Sequence, residues 1–335
     1  MNILILGGTV FLGRALVEDA KRRGHTITLF NRGLTNGGLF PDVEKLYGNR
    51  DGDLAALEGR RWDVVIDTCG FVPRVVRQSV NLLARNVGQY VFISSISVYE
   101  DASQPGTREE AATQRLDVEV VDESNSAYYG PFKAMCERVV GSSMLGRYLI
   151  VRPGLMVGPH DQTDRFSYWP HRIAQGGEVL APGRPERPVQ FIDVRDVASW
   201  ILNQVEKNQH GVFNVASPDG WATMGSVLQA CVDTTQSGAE LKWVPEDFLL
   251  QNSVGEWIEL PLWLSESDPS VAGFLRFDVR RALQTGLKLR PVEDTIRDTL
   301  AYVKTWPHDR VWQAGMSRAR ERDLLNIFLR GFFAY

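Results

Sequence analysis

The residues best suited to chemistry are a tyrosine and a lysine four positions apart, Tyr129 and Lys133, in the segment YGPFK. Residues i and i+4 lie on one face of a helix, so this spacing would bring the phenol and the ammonium together. A free tyrosine has a pKa near ~10, and a neighbouring positive charge favours its phenolate form. The pair could therefore exchange a proton with a substrate oxygen, which is general acid–base catalysis.

A serine cluster precedes this pair and follows an apolar run, YVFI, which is typical of a buried strand. The cluster contains Ser94, Ser95 and Ser97. Hydroxyl groups at the carboxyl end of a parallel strand face the crevice in which α/β proteins bind ligands. We therefore expect a hydroxyl of this cluster to share a site with the tyrosine and the lysine, whereas packing roles are expected for Ser94 and Ser97.

A glycine-rich turn near the start of the chain could hold phosphate groups. It lies between an apolar run at residues 2–6 and a helical pattern that stops at Gly24. Backbone amides at a helix N-terminus bind pyrophosphate, and glycine lets the backbone approach closely. The strand before the turn and the helix after it are the context that a dinucleotide-binding turn requires. The turn comprises Gly7, Gly8, Thr9, Val10, Phe11, Leu12 and Gly13.

The end of the next predicted strand bears on which dinucleotide is bound. Enzymes that use NAD(H) usually carry Asp or Glu at this point, to bind the ribose 2′-hydroxyl. Here the residues are Asn31, Arg32 and Gly33, with no carboxylate. The guanidinium of Arg32, together with Arg14, could instead face a 2′-phosphate. We therefore expect NADP(H) to be favoured over NAD(H).

The elements that must position these groups alternate between strand and helix. Strand patterns occur at residues 2–6, 26–30, 44–47, 63–67, 90–93 and 148–151. This alternation of strands and helices predicts an α/β fold with a Rossmann-type doubly wound parallel sheet. After Pro153 the regular alternation ends, which predicts a smaller C-terminal substrate-binding α/β subdomain. We expect residues 1–153, with 191–217 returning, to form the dinucleotide-binding domain, and 154–190 with 218–335 to form the subdomain and C-terminal helices.

Composition and residue spacing argue against nucleic-acid, membrane and metal binding. The chain has 335 residues, 44% of them hydrophobic and 23% charged, and a net charge of −4. This acidic balance gives no electrostatic reason to expect nucleic acid or an anionic membrane as a partner. Three cysteines without a CxxC pair, and histidines without HxH or HExxH spacing, predict no metal site. No window of ~18 apolar residues predicts a transmembrane helix, so we expect a cytoplasmic protein.

Together these motifs resemble the extended or atypical short-chain dehydrogenase/reductases of the NAD-dependent epimerase/dehydratase superfamily. The matching segments are GGTVFLG, SSISVY, YGPFK, VRPGLMVGP and FIDVRDVA, in an order that covers about residues 1–200. Within the superfamily, GGTVFLG with FNRG is similar to the branch that contains plant chloroplast stem-loop-binding proteins and bacterial reductase-like proteins.

The resemblance implies a role for each motif. Ser95 would bind the reacting oxygen, and Tyr129 would be the general acid/base. Lys133 would lower the pKa of the tyrosine and hold the nicotinamide ribose. The residue after the third strand would contact adenine, and the loop after the fourth strand would pack on the cofactor. Outside the glycine-rich turn, the implied cofactor-binding residues are Asn31, Arg32, Asn49, Cys69, Gly70, Tyr129, Lys133 and Pro153.

Three positions depart from the family's pattern. Val10 replaces the middle glycine of the turn, and its Cβ could hold the pyrophosphate away. Nucleotide-sugar enzymes usually carry an asparagine at the position of Leu155 and an arginine at that of Val189, and aliphatic side chains cannot bind a diphosphate. A nucleotide-sugar substrate is therefore disfavoured, unless other arginines compensate. The arginines that could do so are Arg165, Arg172, Arg184 and Arg187.

We expect the substrate pocket to combine the serine cluster with the segment after Pro153. Polar residues beside aromatic ones suit an orienting site for an organic molecule. The same segment is equally compatible with a packed structural role, since aromatic residues more often pack than bind. The predicted substrate-binding residues are Ser95, Leu155, Asp164, Arg165, Tyr168 and Trp169.

Three functions stay open at this point. The leading one is an NAD(P)-dependent oxidoreductase that acts on a carbonyl or alcohol of a small metabolite, with Tyr129 as acid/base. The second is an epimerase or dehydratase that uses the same residues without net consumption of cofactor. The third is a non-catalytic, cofactor-bound RNA-binding or regulatory protein, which the acidic charge disfavours. We expect a small-molecule substrate and either a monomer or a homodimer.

Overall fold

The computed structural model describes residues 1–116, 122–307 and 309–332, which form thirteen strands and ten helices. The strands are β1 (Asn2–Leu6), β2 (Thr26–Asn31), β3 (Glu44–Tyr47), β4 (Trp62–Asp67), β5 (Val87–Ile93), β6 (Tyr148–Pro153), β7 (Leu155–Val157), β8 (Glu178–Pro182), β9 (Pro188–Val189), β10 (Phe191–Asp193), β11 (Gly211–Val215), β12 (Ala222–Thr223) and β13 (Glu240–Val244). The helices are α1 (Phe11–Arg22), α2 (Pro73–Leu83), α3 (Tyr129–Met144), α4 (Tyr168–Ala174), α5 (Val194–Glu206), α6 (Met224–Thr235), α7 (Glu246–Gln251), α8 (Arg280–Gln284), α9 (Val292–Val303) and α10 (Arg318–Phe332).

The central feature is a seven-stranded sheet in the order β11-β6-β5-β4-β1-β2-β3. Every neighbouring pair in this sheet is parallel. Strands β1 to β3 extend from the centre in one direction and β4 to β6 in the other, so the strand order reverses between β1 and β4. The predicted Rossmann-type α/β fold is confirmed. Ligands of such sheets bind outside the carboxyl ends of the strands, at the reversal point.

Helices cover both faces of the sheet, as a parallel sheet requires. On one face, Leu16 of α1 and Val197 of α5 belong to one buried cluster. On the other face, Val80 of α2 and Val140 of α3 belong to a second cluster. Because both faces are covered, β1 is a continuous apolar run, NILIL, with no polar residue in its buried part.

The residues after β6 build a further core around strands β8 and β13, which form a two-stranded parallel sheet. Trp169 and Trp263 are fully buried in this core. A buried ion pair attaches α10, because Arg172 Nε donates to Glu321 Oε2 at 2.6 Å. Strand β11 lies beside β6 at the edge of the central sheet. The boundary between the two expected domains stays a prediction.

Candidate active site

A cavity of about 540 Å³ opens beyond the carboxyl ends of β5 and β6. It lies between the start of α1, the start of α3 and the segment that follows β6. The predicted site residues that line it are Phe11, Ser95, Tyr129, Lys133, Pro153, Leu155 and Arg165. The three side chains expected to be catalytic thus border one space.

Ser95 is the second residue after the end of β5 and is buried. Its Oγ accepts a hydrogen bond from the backbone N–H of Ser97 at 3.0 Å and donates to Ser97 Oγ at 3.1 Å. This local turn fixes the Ser95 hydroxyl at the end of the strand. The neighbouring Tyr99 is a packing residue, because its buried hydroxyl donates to Asn214 Oδ1 at 2.6 Å.

Tyr129 is the first residue of α3, and 41% of its surface is exposed at the cavity. Partial burial raises the pKa of its phenol, while a side-chain hydrogen bond with Ser95 and the positive charge of Arg165 act in the opposite direction. The phenol is therefore protonated at neutral pH, which is the form that a general acid needs.

Lys133 lies one helical turn further along α3 and is only 2% exposed. Its Nζ donates to the carbonyl oxygen of Gly70 at 2.8 Å and to that of Ile93 at 2.5 Å. The Nζ also lies 4.9 Å from the ring centre of Phe71. Burial lowers the pKa of Lys133 to about 8. The ends of β4 and β5 thus hold the ammonium at the base of the cavity that Tyr129 also lines.

A buried ion pair that sequence reasoning missed lies at the carboxyl end of β4. Arg50 donates to both carboxylate oxygens of Asp67, at 2.6 and 2.8 Å, and Tyr90 donates to the same carboxylate at 2.8 Å. Burial alone would raise the pKa of Asp67, but the charge and hydrogen bonds of Arg50 hold it below its ordinary value. The Cys69 N–H also donates to Asp67. The pair therefore fixes the turn that bears the Gly70 carbonyl.

The glycine-rich turn brings strand β1 and helix α1 into close contact. Gly7 has φ +104°, a conformation that other residues rarely adopt. A Cβ on Gly13 would lie 2.8 Å from the backbone of Gly8, so only glycine fits there. Asn31 braces the turn, since its Nδ2 donates to Gly7 O at 3.0 Å and its Oδ1 accepts from Gly33 N–H at 2.9 Å.

A second cavity, of about 350 Å³, lies beside this turn, and Phe71 lines both cavities. Its described lining residues include two arginines and no carboxylate: Arg32 is exposed, whereas Arg50 is bound to Asp67. The predicted cofactor-binding residues that line it are Gly7, Thr9, Val10, Asn31, Arg32, Asn49 and Cys69.

Other residues predicted to bind the cofactor support the site through their backbone or by packing in the core. The side chain of Leu12 is buried in the core beneath α1, and Gly70 presents its carbonyl to Lys133. Arg14, expected to act beside Arg32, instead forms an ion pair with Glu18 at 2.8 Å.

Three residues expected to bind substrate lie outside the active-site cavity, and those predictions are corrected. Asp164 is fully buried and accepts hydrogen bonds from Arg310 at 2.8 and 2.9 Å. Trp169 is fully buried and its indole N–H donates to Pro261 O at 2.8 Å. Tyr168 is buried in the same core. Tyr168 and Trp169 are buried because their large apolar side chains fill the core around β8 and β13.

Asp161 belongs to the segment 161–169 that was expected to form a wall of the pocket, and it lines the cavity. It is buried, and its Oδ1 accepts from the Thr163 backbone N–H at 2.9 Å and hydroxyl at 2.8 Å. Burial raises the pKa of Asp161. Trp257 and Phe274 come from an irregular stretch, and the Arg165 guanidinium lies 5.8 Å from the ring centre of Trp257. Contacts between such distant loops leave no periodic signal in the sequence.

The two cavities suit the two halves of a dinucleotide. They adjoin at Phe71, and the glycine-rich turn borders the second, with backbone so close that a Cβ on Gly7 would lie 2.5 Å from Thr68 Oγ1. Within the described ranges, no group of three or more His, Cys, Asp and Glu side chains could hold a metal ion. Among the helices that the structure describes, none has the length and apolar character needed to cross a membrane.

Comparison with known proteins finds a matching family and similar chains. The model of the NAD dependent epimerase/dehydratase family matches residues 74–216. The chloroplast stem-loop binding protein of 41 kDa b from Arabidopsis thaliana is 25% identical over 263 residues, or 69% of this chain. The match spans 62% of that protein, which is less than two thirds of its length.

Two solved structures show the same fold. UDP-N-acetylglucosamine 4-epimerase from Bacillus cereus is 15% identical with a TM-score of 0.68, covering 93% of this chain and 99% of its own. Human epimerase family protein SDR39U1 (isoform 2), solved with NADPH, is 19% identical with a TM-score of 0.60, covering 90% and 99% respectively. The resemblance to the epimerase/dehydratase family is confirmed.

Proposed function

Because the chain resembles the NAD-dependent epimerase/dehydratase family and has the same fold, we propose that it is an NADP(H)-dependent oxidoreductase acting on a carbonyl or alcohol of a small metabolite. The observation that carries the proposal is that Ser95, Tyr129 and Lys133 line one cavity, next to the cavity beside the glycine-rich turn. When bound, a nicotinamide dinucleotide supplies the two-electron redox chemistry.

Each of the three side chains has a defined task in this proposal. The Tyr129 hydroxyl gives a proton to the substrate oxygen when a carbonyl is reduced, and takes it back when an alcohol is oxidised. Ser95 binds the same oxygen and orients it. The Lys133 ammonium places a positive charge beneath the site, which favours loss of the tyrosine proton. The Gly7 to Val10 backbone and Asn49 would hold the dinucleotide.

The preference for NADP(H) is supported by Arg32. It is exposed at the rim of the second cavity, whose described lining has no carboxylate to bind a ribose 2′-hydroxyl. The solved human relative holds NADPH. Fluorescence titration should show that Arg32→Ala weakens NADPH binding about 10- to 100-fold and leaves NADH binding unchanged. Arg61→Ala, at an exposed arginine outside this cavity, is the control. An unchanged preference would remove Arg32 from the proposal.

The acid–base role of Tyr129 is tested by turnover. Candidate carbonyl compounds are screened with NADPH while nicotinamide absorbance is followed. Tyr129→Phe should lower kcat by about 10²- to 10⁴-fold and leave NADPH binding intact. Tyr128→Phe is the matched control, because the Tyr128 ring packs on Phe132 at 5.8 Å and lies outside the cavity lining. Wild-type turnover by Tyr129→Phe would refute the assignment.

An epimerase or dehydratase is the second candidate. It is supported by the matching family model and by the structural neighbour that is a 4-epimerase. In that case nicotinamide absorbance stays constant during turnover while nuclear magnetic resonance detects product. If the protein's role in the cell does not change in the Tyr129→Phe variant, a non-catalytic RNA-binding or regulatory function becomes the leading proposal. The similarity to a stem-loop binding protein is compatible with that function.

A further inference from the structure

Arg165 is the only arginine among the described lining residues of the active-site cavity, where the other charged residues are Lys133 and Asp161. Lys133 is already bound to two backbone carbonyl groups. Arg165 is half-buried and makes no hydrogen bond or ion pair with any residue that the structure describes. Because part of its surface is exposed, its guanidinium can donate to an anionic group that enters the cavity.

The carboxylates on either side of Arg165 have other partners. Both oxygens of Asp161 accept from the Thr163 hydroxyl, at 2.8 and 2.9 Å. Burial raises the pKa of Asp161, although its hydrogen bonds with Thr163 and the charge of Arg165 act in the opposite direction. Asp164 accepts from two nitrogen atoms of Arg310, at 2.8 and 2.9 Å. The charge of Arg165 is thus felt by Asp161, but its donors are not bound by either carboxylate.

The backbone between β7 and α4 holds Arg165 at the cavity. His160 has φ +71° and Asp164 has φ +61°, which is the left-handed region that residues other than glycine rarely adopt. Such conformations persist where the surrounding structure fixes them, and they cluster at ligand-binding sites. Here the buried ion pair of Asp164 with Arg310 fixes the loop. The next residue after Arg165, Phe166, is fully buried in the core, so the two side chains point to different surroundings.

The other arginines that follow β7 and could bind a diphosphate do not line the active-site cavity. Arg172 is buried in an ion pair with Glu321. Arg184 is paired with Glu266, and both it and Arg187 line a separate cavity. A diphosphate needs several fixed cationic donors, whereas a single planar guanidinium matches the two oxygens of one carboxylate. The charge available at the active-site cavity therefore fits a carboxylate.

Arg165 also lies close enough to Tyr129 for its charge to act on the phenol. Burial raises the pKa of Tyr129, and the positive charge of Arg165 opposes this shift. Both side chains line the same cavity, together with the aromatic rings of Trp257 and Phe274. A molecule bound by Arg165 would therefore place neighbouring atoms within reach of the Tyr129 hydroxyl, with apolar surface beside it.

We propose that the substrate carries a carboxylate beside its reacting carbon and that Arg165 binds this carboxylate. This inference rests on the proposed function, because Tyr129 must act on the same molecule. The substrate class is then a 2-oxo acid or 2-hydroxy acid with an apolar group. In the reduction, the carbonyl carbon takes a hydride from the reduced dinucleotide and the carbonyl oxygen takes the Tyr129 proton, which water replaces. The product is the 2-hydroxy acid.

Binding is tested with three probes that share a benzoyl group: phenylglyoxylate, its neutral methyl ester, and benzoylphosphonate. Ligand-observed nuclear magnetic resonance with the full chain, with and without NADP⁺, measures the three dissociation constants. The wild type should bind phenylglyoxylate about 10- to 100-fold more tightly than the ester, and more tightly than the phosphonate. Arg165→Met should lose this difference between phenylglyoxylate and the ester.

Arg184→Met is the matched control, because Arg184 is an exposed arginine outside the active-site cavity, and it should keep the wild-type affinities. Equal affinity of the wild type for phenylglyoxylate and its ester would overturn the proposal. Unchanged phenylglyoxylate binding by Arg165→Met would also overturn it. Tighter binding of benzoylphosphonate than of phenylglyoxylate would assign the site to a phosphate-like group and contradict the carboxylate.

Two measurements separate binding from an effect on folding or on the dinucleotide. Since Arg165 has no ion-pair partner in the described ranges, Arg165→Met should keep its Tm within about 2 °C of the wild type. NADPH affinity should be unchanged, and a loss of NADPH binding would place Arg165 at the dinucleotide and overturn the proposal. If Arg165→Met does not fold, Arg165→Lys retains the charge without the fork of donors and should bind phenylglyoxylate several-fold more weakly. Wild-type affinity in Arg165→Lys would contradict recognition by the fork.

Turnover distinguishes failure of this inference from failure of the proposed function. With a 2-oxo acid that is reduced, Arg165→Met should raise KM about 10- to 100-fold and change kcat much less. NADPH-dependent reduction of neutral carbonyl compounds, with KM and kcat unaffected by Arg165→Met, defeats this inference alone. Selective binding of phenylglyoxylate through Arg165, without NADPH-dependent turnover of any 2-oxo acid, defeats the proposed function alone.

Discussion

Replacing Arg50 by methionine should destabilise the protein strongly. Methionine retains much of the apolar volume of the arginine stem but leaves the fully buried carboxylate of Asp67 without its cation. The hydrogen bonds from Tyr90 and the Cys69 N–H remain. Removal of one partner of a buried ion pair costs about 3–5 kcal/mol, since the other charge stays buried. We therefore expect a loss of this size in the free energy of unfolding at pH 7.

The loss should depend on pH in a defined direction. In the wild type the pKa of Asp67 is lowered from its ordinary value of 3.8, so its contribution is present above that value and is lost as pH falls through the lower folded value. In Arg50→Met the remaining effect of burial raises the pKa of Asp67. The carboxylate then takes up a proton more readily as pH falls, and the difference from the wild type shrinks.

Urea unfolding followed by tryptophan fluorescence at pH 7 and at lower pH measures both effects. The double variant Arg50→Met/Asp67→Asn should recover much of the loss, because it removes the buried charge as well as its partner. Arg60→Met is the matched control at an exposed ion pair and should cost less than about 1 kcal/mol. A similarly small loss for Arg50→Met, or a double variant no more stable than the single one, would refute the reasoning.

Three further outcomes are expected. Lys133 releases its proton near pH 8 in the folded protein but only near pH 10.5 in the unfolded chain. The free energy of unfolding of the wild type should therefore rise between pH 8 and 10.5, relative to that of Lys133→Met. Urea unfolding at several pH values in this range measures the slope. Gly13→Ala should lower Tm and weaken NADPH binding, because its Cβ would push helix α1 away from the backbone of Gly8. Gly24→Ala, with open space around its Cβ, should leave NADPH binding unchanged. Trp169→Phe should lower Tm, since it removes buried area and an indole hydrogen bond, but should leave the substrate KM unchanged in steady-state assays.

The parts of the fold that could be predicted are those set by local pattern. Strand β1, the turn after it and helix α1 lie within 22 residues, and their apolar periodicity records which faces are buried. Ser95 could be found because it follows an apolar strand pattern, and Tyr129 because it lies four residues before Lys133 on a predicted helix. The position of Ser95 near a strand end follows from the parallel topology.

The parts that escaped prediction depend on contacts between distant segments. Trp169 is aromatic and lies in a polar segment, a pattern that is compatible with a pocket wall and with a core. Its burial is decided by residues near Pro261, which it meets through a hydrogen bond. Arg50 and Asp67 each resemble an ordinary charged residue near a strand end. Only the fold shows that they meet under the turn at Gly70.

The ring of Phe71 borders both cavities, with 51% of its surface exposed. Its centre lies 6.4 Å from that of Tyr129 and 4.9 Å from Lys133 Nζ. We expect a molecule bound in one cavity to restrict the rotamers of this ring and so to change the affinity of the other cavity. Such an effect would be reciprocal, because each bound molecule changes the affinity for the other by the same factor.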